Sequence, residues 1–274
     1  MPLQRKIGIN LFGRLDPLDG VRCIAAAGYD AIDYSAIGRL AAPGSSLAAA
    51  LRECSAQLGL LPAALHYRSF GFDFLGSDAA LQRFQAMSLD DVRLTAELGA
   101  PAIAFHLGND LQAAVDAQLA AANAEALAPA VRLAGELGIG IALENHCHGW
   151  GDHYAHLALV ATALDAPQVG FCCDSGHAAV AGIDPVALIA AMGPRLRLVH
   201  LHSNDGRRDS HRPAGEGVVL WPPLLEALDR AGYTGPLLLE GGLHLPGDEV
   251  ETLLAAHLRG FRATLASLHP RTTV

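Results

Sequence analysis

The chain has 274 residues, a formal net charge of −9, and 51% hydrophobic against 17% charged residues. That length suits one large domain, residues 1–274, whose core needs neither disulfides nor a structural metal. Lys6 is the sole lysine, so no internal lysine can form a Schiff base and no Gly-Lys-Ser/Thr loop can cradle nucleotide phosphates. The acidic balance also disfavours tight binding to nucleic acid, which lysine and arginine drive.

The first residues run directly into a strand-like stretch, 6–12, without a long apolar segment ending in a cleavage site, so no secretory leader is expected. No apolar stretch reaches membrane-spanning length. The five cysteines include no Cys-x-x-Cys pair and read as reduced thiols of a cytoplasmic protein. A unit then repeats along the chain: a helical run, a glycine, and a short apolar run ending in a polar residue. Gly28, Gly59, Gly99, Gly138 and Gly232 lead in this way into expected strands 31–34, 60–66, 102–106, 139–144 and 237–240. The glycine suits the left-handed position that ends a helix, and the apolar run suits a strand covered on both faces. Runs 6–12, 169–174 and 196–202 bring the strands to eight. Helices are expected over 17–27, 46–58, 78–98, 111–137, 152–164, 184–192, 221–231 and 248–268. This alternation predicts a (β/α)8 TIM barrel. A doubly wound open sheet fits less well, because no Gly-x-Gly-x-x-Gly follows the first strand. Residues 269–274 read as a loose tail.

In such a barrel the chemistry sits where the strands end, because the βα loops converge on one mouth. His66, His106, Glu144, Asp174, His200 and Glu240 fall at or near the ends of six expected strands. All are metal-ligand types, whereas ordinary turn residues would include serine, threonine and asparagine freely. His177 follows Asp174 by three residues, and Asp209 and His211 form an Asp-x-His segment whose side chains share a direction when extended. Carboxylates and imidazoles together suit Mn²⁺ or Zn²⁺, with Fe²⁺ or Co²⁺ also possible. Phe70 and Trp150 are candidate walls for a small-molecule pocket.

Stretches 142–146 (Ala-Leu-Glu-Asn-His), 173–177 (Cys-Asp-Ser-Gly-His), 199–206, 209–217 and 239–242 carry a resemblance. In order and placement they look like the motifs of the xylose-isomerase-like TIM-barrel superfamily, which includes sugar-phosphate isomerases and epimerases and endonuclease IV. The isomerase branch implies one divalent metal held by Glu144, Asp174, His200 and Glu240. Glu144 and Glu240 would then act as the acid and base of a proton abstraction through a metal-bound enediolate. It also implies that His177 binds a substrate oxygen, with Arg207, Arg208 or Arg212 available to a phosphate or carboxylate. The endonuclease-IV branch implies additional metal at His66, His106, His177, Asp209 and His211, and phosphodiester hydrolysis. The acidic balance ranks a small sugar substrate above DNA. A non-catalytic binding barrel ranks lowest, since no ligand position is lost. Isomerase-like relatives often carry lysine where this chain has His202, which makes His202 a candidate to bind substrate or to support a ligand. No membrane partner is expected, and a homo-oligomer is compatible with the sequence.

Overall fold

Alternation along each strand sets the architecture. In β5 (Gly140–Glu144) Ile141 and Leu143 join the large outer core, while Ala142 joins a separate inner cluster. The same split occurs in β7 (Leu196–Leu201), where Val199 and Leu201 belong to the outer core and Leu198 to the inner one. Side chains of period two therefore serve two layers, one between sheet and helices and one inside the ring. The computed structural model describes residues 5–11, 15–68, 73–108, 116–147, 153–241 and 249–268.

The remaining strands are β1 (Ile7–Asn10), β2 (Ala31–Asp33), β3 (Leu61–His66), β4 (Ala102–Phe105), β6 (Val169–Asp174) and β8 (Leu237–Leu239). All pairings are parallel, and the strands close in the order β1-β2-β3-β4-β5-β6-β7-β8. This is the expected (β/α)8 barrel. Its interior floor is built of Ala31, Ala63, Ala64, Ala102, Ala104, Ala142, Cys172, Leu198 and Leu238.

The outer ring comprises α1 (Pro17–Ala26), α2 (Ser46–Gln57), α3 (Asp78–Leu98), α4 (Asp116–Leu137), α5 (Tyr154–Leu164), α6 (Ser175–Val180), α7 (Pro185–Met192), α8 (Trp221–Arg230) and α9 (Val250–Leu268). Ser45 and Ser77 cap α2 and α3 by accepting backbone N–H groups, each at 3.2 Å. Gly99 and Gly138, past the ends of α3 and α4, take φ of 76° and 71°, the left-handed conformation expected of the repeating glycines. α6 is an addition to the expected helices. It forms because the Asp174 side chain accepts the backbone N–H of His177 at 2.6 Å, starting a helix at the very end of β6. The expected starts of the helices at 111, 152 and 248, and the tail 269–274, lie outside the described residues. No helix among the described residues is long and apolar enough to cross a membrane.

Candidate active site

Every strand delivers one polar side chain to the same end of the barrel. Asn10, Asp33, His66, His106, Glu144, Asp174, His200 and Glu240 stand at or just past the ends of β1 to β8, and all eight are buried. The sequence reading identified the last six and missed the first two. Asp33 sits inside a short apolar run, and Asn10 is an unremarkable polar type. The signal for both was the inward parity of their strands.

A cavity of about 200 Å³ opens above this layer, lined by Asn10, Ser35, His66, His106, Glu144, His146, His177, Asp209, His211 and Glu240. His200 lies at its base. The Nδ1 atom of His200 is 3.0 Å from Glu144 Oε1 and 3.3 Å from Glu240 Oε1, while its Nε2 is 3.0 Å from Asp33 Oδ2. Burial alone would favour neutral His200, but Cys172, Glu144, Glu240 and Asp33 raise its pKa well above that of a free imidazole. Burial likewise works to raise the Glu144 carboxyl, yet His200, His66 and His106 hold it well below the ordinary carboxylate range. Glu144 Oε2 faces His66 Nε2 at 3.0 Å and His106 Nε2 at 3.5 Å.

A second group adjoins the first. Burial opposes ionisation of Asp174, but His177 and His202 lower its pKa to about 2. His202 Nε2 lies 3.0 Å from Asp174 Oδ1, and the ring stacks on His211 with centroids 4.1 Å apart and planes 7° apart. His202 is fully buried and does not line the cavity, so it stands behind Asp174 and His211. His211 adopts φ 45°, a left-handed conformation rare for a residue with a side chain, and its Nε2 lies 3.2 Å from Asp209 Oδ2. Burial lowers and Asp209 raises the His211 pKa, for a net rise to about 9. His177 joins the two groups: its Nδ1 is 3.7 Å from both Glu144 Oε1 and Asp174 Oδ2. Asn145 locks β5 to β6 beneath them, accepting from Asp174 N at 2.8 Å and donating to Asp174 O at 2.9 Å.

The donor set fits a divalent cation. A carboxylate only accepts, and a neutral imidazole offers one N–H. His200 faces carboxylate oxygens with both ring nitrogens, so the arrangement requires a second ring proton or a cation beside Nδ1. Asp174 Oδ2 is buried without a hydrogen-bond partner among the described residues, as an oxygen reserved for a cation would be. Glu144, Asp174, His200 and Glu240 can supply three carboxylates and one imidazole, with Asp33 orienting the imidazole from behind.

The other sequence candidates are placed as follows. Arg207, Arg208 and Arg212 are exposed on the loop after β7 and do not line the cavity. Arg212 reaches Asp205 at 3.8 Å, and its backbone pairs with Ser203. Phe70 and Trp150 lie outside the described residues. Phe74, in the same aromatic segment as Phe70, is no pocket wall: it stacks on Phe84 with centroids 3.8 Å apart in the outer core.

The family model for the xylose isomerase-like TIM barrel matches residues 21–262. The chain belongs to the xylose isomerase-like TIM barrel family. Within it, the chain is 32% identical over 124 residues to the rhizopine catabolism protein MocC of Rhizobium meliloti, a stretch covering 38% of this chain and 37% of that one. It is also 32% identical over 123 residues to the uncharacterized protein MJ1311 of Methanocaldococcus jannaschii, covering 43% and 42%. These matches span less than half the length of either relative. An L-ribulose 3-epimerase structure superposes with a TM-score of 0.76 at 21% identity, covering 99% of this chain and 100% of that one. An IolI protein solved with a zinc atom superposes with a TM-score of 0.73 at 20% identity, covering 98% and 100%. At these identities the likeness is one of fold.

Proposed function

We propose that this member of the xylose isomerase-like TIM barrel family is a divalent-metal-dependent isomerase or epimerase of a small sugar or sugar-derived hydroxy-carbonyl compound. The observation that carries the reading is the convergence of Glu144 and Glu240 on one nitrogen of His200, at 3.0 and 3.3 Å, at the base of the cavity. Two carboxylates from strands three places apart in the ring are thereby set to address one bound molecule. The fold shared with a sugar 3-epimerase supports the choice of substrate class.

Glu144, Asp174, His200 and Glu240 would hold the ion, which when bound polarises a substrate carbonyl and acidifies the neighbouring C–H. One glutamate takes that proton, leaving an enediolate. Return of the proton to the adjacent carbon gives an isomer; return by the opposite glutamate, from the other face, gives an epimer. Asn10 and Ser35 add neutral polar contacts to the wall. Arg207 and Arg212, exposed on the loop after β7, do not line the cavity but would be available to an anionic substituent of the substrate. The experiment is exchange of the substrate C–H proton with deuterated solvent, across a panel of ketopentoses and ketohexoses. Glu240→Gln should slow exchange by ~10²-fold or more. Exchange unchanged in the variant removes Glu240 as acid or base and overturns this reading.

A second reading, a multinuclear hydrolase of the endonuclease-IV type, draws on His66 and His106 facing Glu144 Oε2, and on His177 and His211 flanking Asp209. It ranks second because the chain carries a net charge of −9. Incision of abasic-site DNA at physiological salt would reverse the order; none is expected.

A further inference from the structure

His146 follows Asn145 directly, is half-buried, and has no part in the carboxylate-rich set described above. Its ring lies between two others. The centroid distance from His106 to His146 is 4.5 Å, and from His146 to His177 it is again 4.5 Å, with interplanar angles of 64° and 48°. His106 and His177 are 5.9 Å apart. One ring nitrogen from each of the three lies within 4.8 Å of the other two. All three rings line the same cavity. They come from the ends of β4 and β5 and from the first turn of α6, so rigid elements hold them.

We propose that His106, His146 and His177 form a second metal site in the wall of the mouth, selective for a nitrogen-preferring ion such as Zn²⁺ or Cu²⁺. The contacts of His177 support this. Its Nδ1–H donates to the backbone carbonyl of Asn145 at 3.0 Å, so Nε2, which faces a carboxylate, carries either a second proton or an ion. That Nε2 lies 3.4 Å from Asp209 Oδ2, where a carboxylate can complete four-coordination. Nitrogens sharing one tetrahedral ion at zinc distances sit ~3.4 Å apart, so the rings close by about an ångström on binding. The two sites then differ in kind. Three carboxylates and one imidazole suit Mn²⁺, while three imidazoles suit the later first-row ions.

The inference rests on the proposed function only in taking the carboxylate-rich set as a first metal site. The test uses the full-length chain stripped of metal. Titrated with Mn²⁺ and followed by calorimetry, it should take up one equivalent. Zn²⁺ should bind with one equivalent more. Cu²⁺ should give an electron paramagnetic resonance spectrum with coupling to several imidazole nitrogens. His146→Gln should remove the additional Zn²⁺ equivalent, weakening it by about 100-fold or more, and reduce the imidazole coupling, while Mn²⁺ uptake is retained. His146→Phe, which keeps a ring of similar bulk, should do the same, and thermal unfolding monitors the fold of both. Equal Zn²⁺ stoichiometry in wild type and both variants, with unchanged Cu²⁺ spectra, overturns the proposal. Coupling to one imidazole or none in the wild type overturns it without any variant. Glu240→Gln separates the two readings. Loss of Mn²⁺ with the additional Zn²⁺ retained supports both sites; Mn²⁺ uptake unchanged by Glu240→Gln argues against the carboxylate site while the three-histidine site stands.

Discussion

Asp33 Oδ2 lies 3.0 Å from His200 Nε2, on the side of the imidazole away from the two glutamates. This contact sets which ring nitrogen faces the cavity, because a buried carboxylate that accepts from Nε2–H leaves Nδ1 to its other neighbours. Asp33→Ala should therefore lower affinity for the ion at Glu144, Asp174, His200 and Glu240 by ~10–100-fold. Competition against a chelating dye measures this. Equal affinity in variant and wild type would show that the imidazole needs no orienting partner.

Gly176 and His202 are a matched pair. A Cβ added to Gly176 would lie 1.9 Å from Cε1 of the His202 ring. Gly176→Ala must push that ring away from Asp174 and out of its stack on His211, at a cost of ~1–3 kcal/mol in stability. His202→Ala in the same chain should recover part of the loss, giving a coupling of ~0.5–3 kcal/mol in urea unfolding. Strict additivity would contradict the packing described.

Asp91 anchors the loop that leaves β3. It accepts the Arg68 backbone N–H at 2.9 Å and the Arg68 Nε at 2.8 Å, and it is fully buried in α3. Asp91→Ala should cost ~3–5 kcal/mol, mostly because the Arg68 charge is left without its partner. Chemical denaturation reads the change directly, and a loss below ~1 kcal/mol would mean the loop relaxes freely to water.

Acid should act through His257 on α9. Burial lowers its pKa from 6.5 to about 4. Between those values the unfolded chain takes up a proton at this ring and the folded chain does not. Stability is therefore lost as pH falls from about 6.5 towards about 4, and this residue contributes no slope above that window. The fall in unfolding free energy from pH 7 to pH 5 should be smaller in His257→Gln than in wild type; parallel pH profiles would remove His257 as a contributor.

The barrel was legible because its signals are local. A glycine past each helix and an apolar run of strand length recur with little disturbance, and parity then assigns each side chain to a layer. His66, His106, Glu144, Asp174, His200 and Glu240 were legible because each closes such a run. Asp33 was not, since β2 holds only Ala31–Asp33 and the chain continues into buried Tyr34. His146 and His202 escaped assignment to specific partners for another reason. Their importance lies in which rings they meet, and ring-to-ring contacts across different strands leave no periodic trace in a sequence. Aromatics on loops are ambiguous in a sequence because they serve a pocket and a core equally well; for Phe74 the stack on Phe84 decides for the core.

The alanine floor of the barrel bears on how this site can change. Alanine methyl groups on four of the strands, β2 to β5, directly underlie the acidic and imidazole layer, so there is little slack between support and chemistry. Replacing Ala104 or Ala142 with valine would leave the outer packing untouched, yet the added bulk would press upward on His106 or Glu144. New selectivity in this barrel can therefore arise from below, through small changes of volume one layer under residues that themselves stay the same.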